Sequence, residues 1–77
     1  MKDLLAYLVS SLVEQPDAVK VEEFEEDDGT VVLELTVAQE DYGKVIGRGG
    51  RTAQALRTVV KAAAVKDNRR VLVDIVE

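Results

Sequence analysis

Three glycines and two arginines lie within eight residues, in the stretch VIGRGGRT at 45–52. Glycine leaves the backbone bare, so another chain can approach it to contact distance. The helix predicted to follow presents unpaired N–H groups and a positive dipole end, which favour an anion. Positive charge is concentrated in the same segment, on Lys44, Arg48, Arg51 and Arg57. The combination indicates a phosphate-binding loop, and a plain helix-to-helix turn with solubilising arginines is the alternative.

Other phosphate motifs and catalytic sites do not fit the sequence. The glycines lack P-loop spacing, and they follow a predicted helix, which argues against a dinucleotide fingerprint. The chain has no His and no Cys, so the usual Zn ligands and the commonest catalytic base and nucleophile are missing. The acids at 25–28 lack the spacing of an EF-hand loop. The sequence therefore predicts a binding protein without catalytic residues, metal or cofactor.

The net charge of −5 is divided unequally along the chain. Residues 1–43 carry two lysines against twelve acids, whereas residues 44–77 carry eight Lys or Arg against three acids. A basic half on an acidic protein predicts a local anion site that polyanions approach from one side. An uneven charge that only keeps the chain soluble is the alternative.

A first helix is predicted from about Lys2 to Glu14, before Pro16. Its apolar stripe comprises Leu4, Leu5, Leu8, Val9, Leu12 and Val13. The run imitates a signal peptide, but Asp3 and the helical spacing favour a helix that packs on a core. Nothing approaches the roughly 20 apolar residues that span a bilayer. We therefore expect a soluble, cytoplasmic protein without membrane contact.

Two extended runs flank Asp28 and Gly29, a pair that favours a tight hairpin turn. The second run, at 30–37, alternates between an apolar and a mixed face. In the first run Phe24 is out of phase with the preceding valines, which predicts a bulge near Glu22–Glu23.

Two more helices and a strand are predicted in the second half. A short helix covers 38–46, and a longer one runs from Arg51 or Thr52 to about Lys66, with Thr52 as a candidate cap. The longer helix has an apolar stripe of Leu56, Val59, Val60, Ala63 and Ala64. A strand at 71–76 ends the chain.

This order of elements predicts an α+β domain in which a three-stranded sheet carries three helices on one face. The uncovered face would hold Val32, Leu72 and Val76 among polar neighbours. An apolar patch of this kind is suited to self-association or to a partner.

The segment VIGRGG resembles the V-I-G-x-x-G signature of KH domains, whose loop clamps a short single-stranded backbone. The order α-β-β-α-α-β resembles the type II KH arrangement. With LLAYLVSSLV near its start, VIGRGGRTAQALRTVVKAAA and a final VDIVE, the chain is similar to the KhpA (YlqC-like) family of small bacterial KH-domain proteins. The resemblance covers residues 1–77, which are expected to form a single KH domain.

The resemblance implies a non-enzymatic, cytoplasmic RNA-binding protein, a small RNA chaperone or post-transcriptional regulator. It also implies a homodimer, or a heterodimer with a larger KhpB-like partner that carries a KH domain. The family's loop glycines map onto Gly47 and Gly50, and its variable positions onto Arg48 and Gly49. Glycine at 49 departs from the basic or polar residues common there, so low affinity is expected.

The predicted RNA site comprises Lys44, Val45, Ile46, Gly47, Arg48, Gly49, Gly50, Arg51, Thr52 and Arg57. The glycines would hold the sugar-phosphate chain, and the cations would neutralise its charge. Val45, Ile46 and the strand at 30–37 would floor a groove for about four bases, with a core position as the alternative for one of the two side chains. Because aromatic residues are scarce, selectivity should be loose. An adaptor that contacts RNA only within a complex, and single-stranded DNA as the ligand, stay open.

Overall fold

The computed structural model describes residues 1–76, so Glu77 of the VDIVE segment lies outside the described part. The elements are α1 (Lys2–Ser10), β1 (Lys20–Glu25), β2 (Val31–Thr36), α2 (Tyr42–Ile46), α3 (Arg51–Lys66) and β3 (Val71–Val76). Short 3-10 turns occupy Pro16–Ala18, Gln39–Asp41 and Arg48–Gly50. The predicted order of helices and strands is confirmed.

The central strand of the sheet is β2, which pairs antiparallel with β1 and parallel with β3. Alternate β2 side chains are buried, which is the period expected when helices cover one face of a sheet. The predicted two-layer α+β arrangement is confirmed, because all three helices contribute to one core. That core includes Leu5, Val9, Val45, Leu56, Val60 and Ala64 from the helices and Val31, Leu33, Leu35, Val71 and Val73 from the strands.

The predicted bulge near Glu22–Glu23 is wrong, since β1 pairs with β2 in unbroken register along its whole length. Phe24 interrupts the apolar alternation because it lies on the uncovered face of the sheet, opposite Val32. Its side chain is 47% exposed. A residue on the opposite face of a strand interrupts the apolar alternation just as a bulge does, and this is why the sequence pattern predicted a bulge.

The hairpin turn is longer than the pair Asp28-Gly29 suggests, since it spans residues 26–30. Only Gly29 adopts a positive φ, of 88°, in this turn. The Thr30 N–H donates to the Asp28 carboxylate at 2.9 Å. The hydrogen bonds from Thr30 hold the pKa of the Asp28 carboxyl below its usual value.

Helix α1 ends at Ser10, four residues before the predicted end at Glu14. The backbone N–H groups of Glu14 and Gln15 donate to the two carboxylate oxygens of Asp41, at 3.1 and 3.0 Å. Asp41 is fully buried. Because this carboxylate binds two N–H groups that a longer helix would have used, a contact distant in sequence shortens the helix and ties its exit to the start of α2.

The predicted apolar stripes of the first and third helices contain more residues than the sheet can cover, so some of these residues are exposed. Val59, predicted in the buried stripe, is 46% exposed, and Leu12 is 43% exposed. The buried positions of α3 are Ala53, Leu56, Val60 and Ala64. The excess apolar surface lines a groove of about 390 Å³ between the two helices, formed by Leu8, Ser11, Leu12, Arg51, Thr52, Ala55, Leu56 and Val59.

Candidate nucleic-acid interface

The glycine loop begins at Gly47, the residue that ends α2. Its φ of 77° and ψ of 172° belong to a region that is essentially restricted to glycine. A Cβ atom built on Gly47 would lie 2.7 Å from Thr52 Cβ and 2.8 Å from Thr52 N. The side chain and backbone of Thr52 therefore occupy the space that any other residue at position 47 would need.

The next glycines have left-handed backbones. Gly49 has a φ of 64° and a ψ of 19°, and Gly50 a φ of 77° and a ψ of 11°. A Cβ atom on either residue would meet nothing within 4 Å. Glycine at 49, a departure from the common KH pattern, thus has a conformational reason, since other residues adopt this region at a cost.

The N-terminus of α3 faces the loop without a side-chain cap. Its cap residue is Gly50, which has no side chain to accept a hydrogen bond. The prediction that Thr52 caps the helix is wrong, because its hydroxyl packs against Gly47 instead. The Arg51 N–H donates to the Arg48 carbonyl, and no side chain caps this 16-residue helix, so the N–H groups that follow Arg51 are the ones that can meet solvent or an anion.

The cations around the loop are not equivalent. Arg48 and Arg51 are exposed, and within residues 1–76 neither is in an ion pair. Lys44 Nζ lies 3.1 Å from the Glu14 carboxylate and 4.0 Å from the Asp41 carboxylate. The two arginines therefore keep their charge available, whereas the charge of the exposed Lys44 is already paired with carboxylates.

The apolar residues before the loop differ in exposure. Val45 is fully buried, which fits the core alternative, and Ile46 is half-buried beside the loop. The strand at 30–37 does not floor a groove as predicted. It forms the centre of the sheet, and its apolar face is covered by the helices. The sequence showed its alternation but not its place in the sheet.

Arg57 lies on the side of α3 that faces β3, the edge strand. Its side chain is half-buried, and Nε donates to the Val73 carbonyl at 3.3 Å. Lys61 follows one helical turn later, so the two cations share a side of the helix. A basic line therefore leads from the loop along the boundary between α3 and β3.

Further cations, outside the predicted site, lie at the end of that boundary. A groove of about 430 Å³ there is lined by Lys61, Val65, Arg69, Arg70, Val71 and Leu72. Arg69 is also paired with Glu25 at 3.0 Å. The spacing of Arg57 and Lys61 is a signal that predicts part of this cluster, but the approach of Arg69 and Arg70 depends on the turn after α3.

Asn68 makes that turn. It has a φ of 56°, and asparagine tolerates such a left-handed backbone better than most residues. The N–H of Arg69 donates to the Ala64 carbonyl at 2.9 Å and that of Asn68 to Val65 at 3.0 Å. This pair of bonds is the Schellman motif, which turns the chain sharply from α3 into β3 and brings Arg69 and Arg70 beside Lys61.

A three-stranded mixed sheet, three helices on one face and a G-x-x-G turn between two of them define the KH class of fold. The family model described as "KhpA/KhpB, KH domain" matches residues 2–75. The chain therefore belongs to the KhpA/KhpB KH-domain family, as the motif around residues 45–52 indicated.

Curated relatives match over almost the whole chain. The RNA-binding protein KhpA of Clostridium acetobutylicum is 55% identical over 76 residues, which are 99% of this chain and 100% of the relative. KhpA of Halalkalibacterium halodurans is 51% identical over 78 residues and that of Chlamydia trachomatis 44% over 77, with 100% of this chain covered and 100% and 97% of the relatives. The expectation of a non-enzymatic protein is confirmed by this family of RNA-binding KH proteins.

A solved structure shares the fold. It is the crystal structure of Era in complex with MgGDPNP and nucleotides 1506–1542 of 16S ribosomal RNA, with a TM-score of 0.64 and 16% sequence identity. The match covers 96% of this chain and 28% of the Era chain. At this identity the likeness concerns the fold alone.

The described part of the chain contains no candidate for a membrane-spanning helix. Across residues 1–76, none of the helices has the length and apolar character needed to cross a lipid bilayer.

Proposed function

We propose that this protein binds single-stranded RNA through residues 44–52 and Arg57. The observation that carries the proposal is the loop at 47–50, where glycines at positive φ precede a helix without a side-chain cap. Arg48 and Arg51 lie beside it, and neither forms an ion pair within residues 1–76. Phosphates would lie against the loop and the helix N-terminus, while Arg48 and Arg51 neutralise their charge. The names of the KhpA relatives support RNA as the ligand.

The RNA would leave the loop along the boundary between α3 and β3. Arg57, Lys61 and the exposed Arg69 and Arg70 would follow its backbone. Ile46 is half-buried beside the loop, where it can contact a base. We extend the predicted site to Lys61, Arg69 and Arg70, and we assign Val45 a packing role because it is fully buried. A clamp for about four nucleotides with loose sequence selectivity follows.

The cellular role that fits such a clamp is that of a small cytoplasmic RNA chaperone or post-transcriptional regulator. The parallel pair of β2 and β3 supports the type II KH arrangement. Single-stranded DNA is the rival ligand, because a backbone clamp does not require a 2′-hydroxyl.

The proposed homodimer or KhpB-like heterodimer needs a surface outside the loop. The groove between α1 and α3 offers one, since Leu12 and Val59 are more than two-fifths exposed there. Val59→Asp should separate such dimers in sedimentation equilibrium and leave the monomer folded. If RNA binding is lost together with the dimer, the protein acts as an adaptor that meets RNA only within a complex.

The test of the proposed function is fluorescence anisotropy of a mixed single-stranded RNA of about 20 nucleotides at about 50 and about 200 mM salt. Wild type should bind, more weakly at high salt, and the double variant Arg48→Asp, Gly49→Asp should not bind. A matched control carries the same change in charge on exposed positions of α1, as Lys2→Asp, Tyr7→Asp.

Circular dichroism confirms that each variant is folded. Equal loss of binding in both variants would mean that net charge alone governs binding, which contradicts a clamp at the loop. Binding of a DNA of the same sequence with equal affinity would replace RNA by single-stranded nucleic acid in general.

A further inference from the structure

The face of the sheet that carries no helix has an apolar row across all three strands. Phe24 lies opposite Val32, and Val32 lies opposite Leu72. Phe24 and Leu72 are each 47% exposed. Neighbouring strands are about 5 Å apart, so these side chains form a continuous stripe across the sheet. The sequence indicated Val32 and Leu72 on this face, and the unbroken register adds the aromatic ring.

The next row on the same face is acidic. Glu22 lies opposite Glu34, and Glu34 lies opposite Asp74. Within residues 1–76 none of these three carboxylates is in an ion pair. Like charges directly opposite each other destabilise a sheet, so this row costs the isolated fold free energy. Beyond it lies Lys20, opposite Thr36.

We propose that this uncovered face, defined by the rows Phe24–Val32–Leu72 and Glu22–Glu34–Asp74, docks a protein segment in which apolar side chains are flanked by Lys or Arg. The apolar row would be covered by the apolar side chains of the segment. Its cations would relieve the repulsion among the three carboxylates.

The charge of the face selects this occupant over others. The phosphates of RNA would be repelled by the acidic row, which keeps RNA on the side of the glycine loop. A second copy of this chain would bring another net negative face to the first, whereas a basic segment neutralises it. Because the glycine loop lies on the other side of the sheet, RNA at the loop leaves this face accessible. The two surfaces approach each other at Leu72, which also lines the groove with Lys61, Arg69 and Arg70.

The test uses the full chain and a synthetic peptide with a Leu-Trp-Leu centre flanked by lysines, titrated while backbone amide shifts are recorded by NMR. Two further peptides replace the lysines with glutamates or the apolar centre with serines. Wild type should bind only the first peptide, with shifts concentrated on β1, β2 and β3. Phe24→Ser, Leu72→Ser should weaken binding by about tenfold or more.

A second variant, Glu22→Gln, Asp74→Asn, should weaken binding and reduce its salt dependence. Its control, Glu26→Gln, Asp27→Asn, makes the same change in charge within the hairpin turn and should bind as wild type does. Equal effects of these two variants would show attraction by net charge alone and overturn the proposal.

Three other results would also overturn it. These are failure of the wild type to bind the lysine peptide, shifts centred on the α1–α3 groove or the loop, and wild-type self-association that Phe24→Ser, Leu72→Ser abolishes. The last result would assign the face to a second copy. RNA binding by the loop is measured separately in the same variants. A failure of RNA binding would therefore contradict the proposed function without changing the outcome of the peptide titration.

Discussion

The glycine loop and the uncovered sheet face expose different parts of the chain. At 47–50 the backbone itself is exposed, with three glycines at positive φ and cations on either side. On the sheet, backbone groups are engaged in strand pairing, and rows of apolar and acidic side chains face outward. One surface suits a polyanion with a regular backbone, and the other suits a partner with matching side chains.

This difference also explains how an acidic protein can bind RNA. The carboxylates are concentrated in the first half of the chain, and part of them lies across the uncovered face. Arg48 and Arg51 flank the loop, and within residues 1–76 neither forms an ion pair. In the proposed binding mode, the net charge would repel RNA in general while the local field at the loop attracts it, so that charge would orient the RNA and bare backbone would contact it.

Gly47→Ala is the strongest test of whether the loop requires the backbone conformation that glycine adopts there. Alanine must adopt a φ of 77° with a ψ of 172° and also meets Thr52 within 3 Å. We expect the free energy of unfolding to fall by about 3 kcal/mol, a large part of the stability of a small domain. Urea unfolding followed by circular dichroism measures the change, and RNA binding should be lost.

Gly50→Ala is the matched control, because Gly50 has the same φ of 77° but open space around its Cβ position. Only the left-handed backbone is then disfavoured, at about 1–2 kcal/mol. If the two variants lose equal stability, the contact with Thr52 does not define the loop.

The contrast in charge predicts opposite responses to salt. Arg48→Gln, Arg51→Gln should weaken RNA binding about tenfold and lower the slope of log K against log salt by about 0.7 for each phosphate that the protein no longer neutralises. Glu22→Gln, Asp74→Asn, on the uncovered face, should leave that slope unchanged. Anisotropy titrations over a salt series measure both. An unchanged slope in the arginine variant would place the phosphates elsewhere.

The sequence predicted the parts of this fold that depend on local periodicity and on glycine. The alternation at 30–37 and the bounds of α3 are confirmed, because a strand with one buried face and a long amphipathic helix leave regular patterns. The motif at 45–52 also identified the family, since its glycines serve a backbone conformation that few residues adopt.

Contacts between residues that are distant in sequence could not be predicted. Asp41 ends α1 by binding Glu14 and Gln15, more than 25 positions away. The same pairing brings Glu14 to Lys44, so a carboxylate of the protein competes for a cation that was predicted to neutralise the charge of RNA. Phe24 was misplaced because a residue on the other face of a strand and a bulge give the same local pattern.

The pair of Lys44 and Glu14 yields a smaller prediction. Glu14→Gln removes the carboxylate 3.1 Å from Lys44 Nζ, and an exposed ion pair is worth about 0.2–1 kcal/mol. Since the lysine becomes available to a phosphate, RNA binding should strengthen about two- to threefold. The control is Glu40→Gln, which makes the same change in charge on an exposed residue that forms no ion pair with Lys44 within residues 1–76. Its side-chain oxygen can still accept from Gln15 Nε2. Equal gains would show an effect of net charge only.

A change of one charge in the hairpin turn gives the smallest expected effect. Hydrogen bonds from Thr30 lower the pKa of Asp28 in the folded state. The charged carboxylate therefore stabilises the fold above its unfolded pKa of about 3.9, and this contribution is lost as the pH falls through the lower, folded pKa. Asp28→Asn keeps an acceptor for the Thr30 N–H but removes the charge. Urea midpoints should be lower than those of wild type at pH near 6 and converge with them in acid, and a gap that persists in acid would mean that the charge is not the cause.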